Sequence, residues 1–205
     1  MATSGTYALN YEVNEFIDES YERIRIDPAG LTARHLRSAR TSLNLMFSDW
    51  ANDGVLLFGV DEQTQTLTDG EDSYAVPTGT LSILEVVIRR DSVDTPVHKI
   101  SREAYHLIPN KTNEGLPTSL YFDRKAGVYY LWNVPENSTD VLRFWRMRRL
   151  QDVTAGSETA DIPYRWYEAL VAGLAARLAA KFAPELEDKR ILQAEIAFKR
   201  AKLEN

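Results

Sequence analysis

The chain has 205 residues, of which 44% are apolar and 26% charged, with no cysteine and a net charge of −6. That composition belongs to a folded chain able to bury one large core or two small ones, not to a disordered one. The lack of cysteine excludes disulfides, thiolate nucleophiles and thiolate zinc sites, and the acidic balance excludes a surface that is basic throughout. The start of the chain lacks a secretory leader pattern, and no apolar run reaches the roughly eighteen residues of a membrane span. Synthesis and use in a cytoplasm are expected. The triplets Asn110-Lys-Thr112 and Asn137-Ser-Thr139 are then chance matches to a glycosylation signal.

Residues 10–26 carry Val13, Phe16, Ile17, Tyr21 and Ile24 at three- and four-residue steps, which predicts a helix ended by Asp27-Pro28-Ala29-Gly30. Thr32 is placed to cap a second helix over 32–53, with an apolar face of Leu36, Ala39, Leu43, Met46 or Phe47, and Trp50; Gly54 supplies its stop. Each helix has one apolar stripe and the connection is short, so the pair is expected to pack together.

Residues 55–151 alternate as strands do. Leu57–Leu67 and Ser73–Val76 flank Asp69-Gly70, a hairpin signal, and Leu81–Ile88 is dense in branched residues. A short helix is predicted over Ser101–Leu107. Strands follow at Ser119–Asp123, Val128–Asn133 and Thr139–Arg148, separated by the turns Lys125-Ala-Gly127 and Pro135-Glu-Asn-Ser138. Residues 152–160 are polar and small, as in a linker. Beyond Pro163, a helix with the stripe Tyr167, Leu170, Val171, Leu174, Leu178 and Phe182 also carries Ala169, Ala172, Gly173, Ala175, Ala176, Ala179 and Ala180, which allow close contact on several sides. Pro184 breaks it and opens a last helix, Glu185–Leu203, with Ile191, Ala194, Phe198 and Ala201 on one side. The expected fold class is α+β. Residues 9–54 and 161–204 form a helical bundle around an inserted antiparallel β-sandwich or barrel-like domain at 55–151.

The chain carries no phosphate-binding glycine loop, nucleophile elbow, zinc helix or calcium loop, and no cofactor is expected. Asp69-Gly-Glu-Asp72 reads as a turn. His35, His98 and His106 are isolated; convergence of the last two with Asp94 or Glu103 on a metal is outweighed by ordinary hydrogen-bonded histidine. The carboxylate pairs Glu15 with Asp18 and Asp61 with Glu62 read as solvated acids. The conspicuous feature is Arg143-Phe-Trp-Arg-Met-Arg-Arg149. In a regular strand Arg143, Trp145 and Met147 share one face and Phe144, Arg146 and Arg148 the other. Neither face is purely basic, so arginines paired with carboxylates of this or a neighbouring chain outweigh nucleic-acid binding. Tyr164, Trp166 and Tyr167 form a cluster wider than one helical stripe. Arg143, Trp145, Arg146, Arg148, Arg149, Tyr164, Trp166 and Tyr167 are therefore the candidate interface residues.

The ordered segments resemble a known family. Leu45-Met-Phe-Ser-Asp-Trp-Ala-Asn-Asp-Gly54 is similar to the end of the long helix in head-to-tail adaptor proteins of short-tailed phages. Ser73-Tyr-Ala-Val-Pro77 with the Leu81–Ile88 strand is similar to that family's entry into its β domain. Thr95–Tyr105, Gly115-Leu-Pro117, Tyr121-Phe-Asp-Arg124 and Tyr130-Leu-Trp-Asn-Val-Pro135 resemble the longer, tail-tubular type of adaptor, and Ile162–Leu170 its closing helix. The resemblance spans roughly residues 9–190 and rests on succession rather than on one motif; the chain departs from the shortest adaptors by its β insertion. It implies a non-enzymatic virion protein at the head-tail junction, assembled in the host cytoplasm. The expected form is a homo-oligomeric ring, most often a dodecamer, docked between the portal protein and the tail proteins (nozzle or tail tube). Genomic DNA would pass through its channel without sequence-specific binding, being retained after packaging and released on ejection, and no membrane is involved. Two other classes stand beside it: a virion-associated cell-wall hydrolase, and a DNA-binding module using the strand at 143–149.

Overall fold

The computed structural model describes residue 5 and residues 9–52 and 59–203. The chain divides into two compact units, Met1–Phe58 with Leu150–Asn205, and Gly59–Arg149. Helices occur with antiparallel and mixed sheets, an α+β fold.

The helical unit is organised by its apolar stripes. α1 (Val13–Arg23) buries Val13, Phe16, Ile17 and Tyr21. The Glu12 backbone N–H donates to Glu15 Oε2 at 2.7 Å. The N–H groups of Val13 and Asn14, which have no partner inside a helix, donate to the carbonyls of Glu158 and Gly156 at 2.8 and 2.9 Å. The segment over 152–160 is thus docked on this unit, with Val153 buried and its backbone held by the Asn44 side chain. α1 ends earlier than its apolar periodicity suggested: Arg25 takes a φ of 65°, and Asp27 caps the separate 3-10 turn Pro28–Gly30 by accepting from the Ala29 N–H. α2 (Ala33–Asn52) buries Ala39, Leu43, both Met46 and Phe47, and Trp50. Thr32 precedes it and exchanges hydrogen bonds with His35. Gly54, expected as its stop, lies outside the described residues.

The hub of this unit is a helix near the C-terminal end, α4 (Tyr167–Phe182), since α3 (Arg102–His106) belongs to the other unit. A 3-10 turn at Tyr164–Trp166 leads into α4 (Tyr167–Phe182), which buries nine residues, five of them alanines. α1 and α2 were expected to pack on one another; each instead lies chiefly on α4. The small side chains explain this, because they let three helices approach one. A Cβ at Gly173 would stand 2.6 Å from Met46 Sδ. Ser20, fully buried on α1, donates to the carbonyls of Phe16 and Val171. After the turn Pro184–Leu186, α5 (Glu187–Leu203) covers α4 with Ala197 and Ala201.

The β unit holds two four-stranded sheets around one apolar core, with no closed barrel among the described residues. One sheet has the order β1 (Val60–Thr66), β8 (Val141–Arg148), β3 (Thr80–Arg90) and β4 (Val93–Pro96). The other has the order β2 (Ser73–Ala75), β7 (Val128–Trp132), β6 (Ser119–Asp123) and β5 (His98–Lys99). The hairpin expected at Asp69-Gly70 does not form. Gly70 does take a positive φ of 76°, but β1 pairs with β8 and β2 with β7, so the turn carries the chain from one sheet to the other. A dipeptide signal specifies a reversal, not the partner of the strands beside it. Hairpins form instead between Ser119–Asp123 and Val128–Trp132, where Gly127 has a φ of 66°, and between β3 and β4, which turns on Asp91 and Ser92, both with positive φ and neither a glycine. The first sheet is antiparallel throughout, as expected, and the second is mixed only because β5 runs parallel to β6. α3 (Arg102–His106) is capped by Ser101, whose Oγ accepts from the Ala104 N–H. Ile83, Val86, Ile88, Leu142 and Phe144 of one sheet meet Tyr74, Leu120, Tyr129 and Leu131 of the other in the core.

Candidate assembly surface

The arginine-rich strand is β8, at an inner position of its sheet. Leu142 and Phe144 point into the core, so Arg143, Trp145 and Met147 share the opposite face. Cross-strand pairing sets Trp145 opposite Glu62 and Arg143 opposite Thr64. Arg143 forms an ion pair with Glu62 and approaches Asp94 at 3.9 Å. Arg146 lies on the inward-facing parity at the end of the core and is 8% exposed. It clamps Asp61 through Nε and Nη2 at 2.7 and 3.0 Å, and donates to Pro77 O and Thr80 Oγ1. Arg148 approaches the same carboxylate at 3.9 Å. β8 is thus largely neutralised within its own sheet, and Trp145, 43% exposed, is the apolar group it offers to solvent.

The Arg146 guanidinium holds the Asp61 carboxyl below its ordinary value of 3.8, since its hydrogen bonds outweigh the opposing cost of burial. A depressed folded-state value means stability that is present above 3.8 and lost as pH falls through the lower folded value. Asp61→Asn is expected to flatten the acid limb of the stability profile while changing its neutral plateau less than Asp61→Ala does. Urea titrations between pH 7 and 2.5 test this, and an unchanged acid limb would dismiss the coupling.

The aromatic cluster at the start of α4 is divided three ways. Tyr164 is 61% exposed. Trp166, expected at a contact with another chain, is instead 1% exposed, its ring 5.3 Å from Trp50 and 5.6 Å from Phe198. A side chain filling the centre of its own unit has no face left for a second subunit. Tyr167 is half-buried against Phe16 and Tyr11, and its hydroxyl donates to Leu9 O at 2.9 Å.

Two features escaped the sequence reading. Asp140 is fully buried and accepts from Arg90 Nε at 2.9 Å and Nη2 at 2.7 Å, while Arg90 Nη1 reaches Glu136 at 2.8 Å. The partners lie 50 residues apart, beyond any local pattern. Second, α5 leaves Ile191, Leu192, Ile196 and Leu203 exposed, by 42, 59, 43 and 86%. Beside it lies a cavity of about 450 Å³ lined by Arg23, Arg165, Glu168, Arg190, Gln193 and Arg200 among others. Arg23 binds Glu168 through two hydrogen bonds of 2.7 and 2.8 Å, which hold that carboxyl below its ordinary range.

His35 packs edge-on against Tyr21 and Phe182. Among the described residues no three histidines or carboxylates gather as metal ligands, and no helix is long and apolar enough to cross a membrane. Compared with known families, the chain matches the model described as SU10 adaptor protein over residues 9–204. No curated protein matches it.

Proposed function

The chain belongs to the SU10 adaptor protein family, phage head-to-tail adaptors and so structural components of the virion, and from that membership we propose that it forms a ring between portal and tail. In this reading twelve copies dock beneath the portal, the tail proteins bind the opposite side, and DNA crosses the centre without sequence-specific contacts. The ring retains the packaged genome and lets it leave on ejection, and it is assembled in the host cytoplasm. It performs no catalysis; its work is the burial of surface between neighbours. The observation that carries the reading is a family match over nearly the whole chain.

Trp145, Tyr164 and the half-buried Tyr167, with Arg143, Arg148 and Arg149, supply subunit or tail contacts in this scheme, and Trp166 and Arg146 support them from within. The large apolar side chains that α5 leaves in solvent suit an assembling protein. Light scattering on the purified chain, alone and mixed with the portal from the same genome, tests the proposal. A stoichiometric complex is expected, even from a monomeric start. A chain that stays monomeric and ignores the portal would remove the reading.

A further inference from the structure

α5 is charged asymmetrically. Glu187 and Asp188 stand at its start, with Glu185 in the turn just before it, and Lys199, Arg200 and Lys202 at its end. Complementarity to the backbone dipole favours that order, but it does not account for the partners. Glu185, Glu187 and Asp188 have no cationic partner among the described residues. Neither Arg190 nor Arg200 has a carboxylate partner among them. Arg190 is held in place by Gln193 Oε1 at 2.6 Å and by the Arg23 carbonyl, which leaves its Nε buried and unpartnered in the wall of the cavity. Of the arginines lining that cavity, Arg23 is already bound to Glu168, while Arg190 and Arg200 face no carboxylate of their own among the described residues. Arg190 is only three residues after Glu187, but Arg200, at the other end of the cavity, is thirteen residues away on the same helix, a rise of about 20 Å, so the acidic start cannot reach that end within a chain. A second copy can bring them together.

We infer that the arginine-lined cavity beside α5 receives the acidic start of α5 from a neighbouring copy, making a head-to-tail contact that repeats around the ring. The inference rests on the ring reading above and names one of its contacts. Such a contact joins two different patches of the same chain, the kind that closes into a ring when the rotation allows. Ile196 lines the cavity and Leu192 lies one turn before it, so apolar surface flanks the charges and would shield them from water on docking. DNA phosphate shares the affinity for arginine. The acidic chain disfavours it, and three unpaired carboxylates on the same protein supply a matching occupant.

The test uses the full chain and its portal. Two charge-reversed variants are made, Arg165→Glu/Arg200→Glu on the cavity and Glu185→Lys/Asp188→Lys on the helix start, together with a variant carrying all four changes. Each pair alone is expected to raise the concentration needed for ring formation by roughly tenfold or more, with thermal melting little changed. The fourfold variant, complementary again, is expected to recover to within about threefold of the wild type, a rescue that misfolding could not produce. Reversed pairs that assemble like the wild type would overturn the contact and leave the ring standing, as would a fourfold variant no better than its parents. A cavity variant that assembles normally but loses binding to free DNA would reassign the arginines to phosphate. A wild type that forms no ring on its portal would remove the ring reading, and this contact with it.

Discussion

Replacing Trp166 by alanine is expected to cost the helical unit about 3–5 kcal/mol, the range for deleting a large buried aromatic side chain. The ring is 1% exposed and wedged between Trp50 and Phe198, so its loss opens a cavity bounded by α2, α4 and α5. Neighbouring alanines on α4 are too short to refill it. Trp145→Ala is the paired control. At 43% exposure it should change stability by about 0.5 kcal/mol or less and weaken assembly instead. Urea unfolding followed by far-ultraviolet circular dichroism, which reports the helices, separates the two from the mass of the portal complex. Equal midpoints for the two variants would contradict the burial of Trp166.

Asp140→Ala should be among the damaging single changes in the β unit, costing about 2–4 kcal/mol, because a fully buried carboxylate is lost while its arginine, one-third exposed, keeps a second partner. The carboxylate is fully buried and is bound to Arg90 through both Nε and Nη2. Without it Arg90 keeps Glu136, on the more exposed side, and loses its inner partner. The same residue ties two strands: its N–H donates to Asn137 Oδ1, and its carbonyl accepts from the Leu67 N–H at the exit of β1. Asp140→Asn keeps the shape and one acceptor and should lose less, about 1.5–3 kcal/mol. Trp50 and Trp166 of the other unit would mix into a fluorescence signal, so hydrogen exchange of peptides from residues 59–149, compared between variants, follows the unfolding of this unit. An alanine variant within about 1 kcal/mol of the wild type would mean that the pair is nearly neutral, the outcome for ion pairs whose desolvation cancels their attraction.

Both expectations concern residues whose importance was illegible, or misread, along the chain. Asp140 sits among Pro135, Asn137 and Ser138 in a run that reads only as a turn, and its partner Arg90 ends a strand 50 residues earlier. Trp166 and Tyr164 are two residues apart with similar composition around them, yet one is at the centre of a core and the other in water. The helical spacing did hold the distinction, since Trp166 lies four residues before the buried Leu170 and Tyr164 four before Glu168, but grouping the aromatics as one cluster hid it. The pairing of arginine with carboxylate on β8 was anticipated as a type. The particular pairs, Arg146 with Asp61 and Arg143 with Glu62, required the register of β1 against β8.

What the sequence determined by itself was local. The stripe Leu36, Ala39, Leu43, Met46 or Phe47, and Trp50 placed α2, Ser101 and Gly127 marked the start of a short helix and a turn, and the alanines of α4 announced an element touched from several sides. Each of these follows from steric and hydrogen-bonding preferences acting within about one helical turn or one reversal. Tertiary structure alone decided which strands became neighbours, that β5 would run parallel to β6, and that Asp69-Gly70 would link two sheets. It also decided which arginines found carboxylates and that Arg190 and Arg200, among the described residues, did not. Strand pairing and ion pairing are settled by closing loops tens of residues long, where many partners compete on similar local terms and the shared core selects among them.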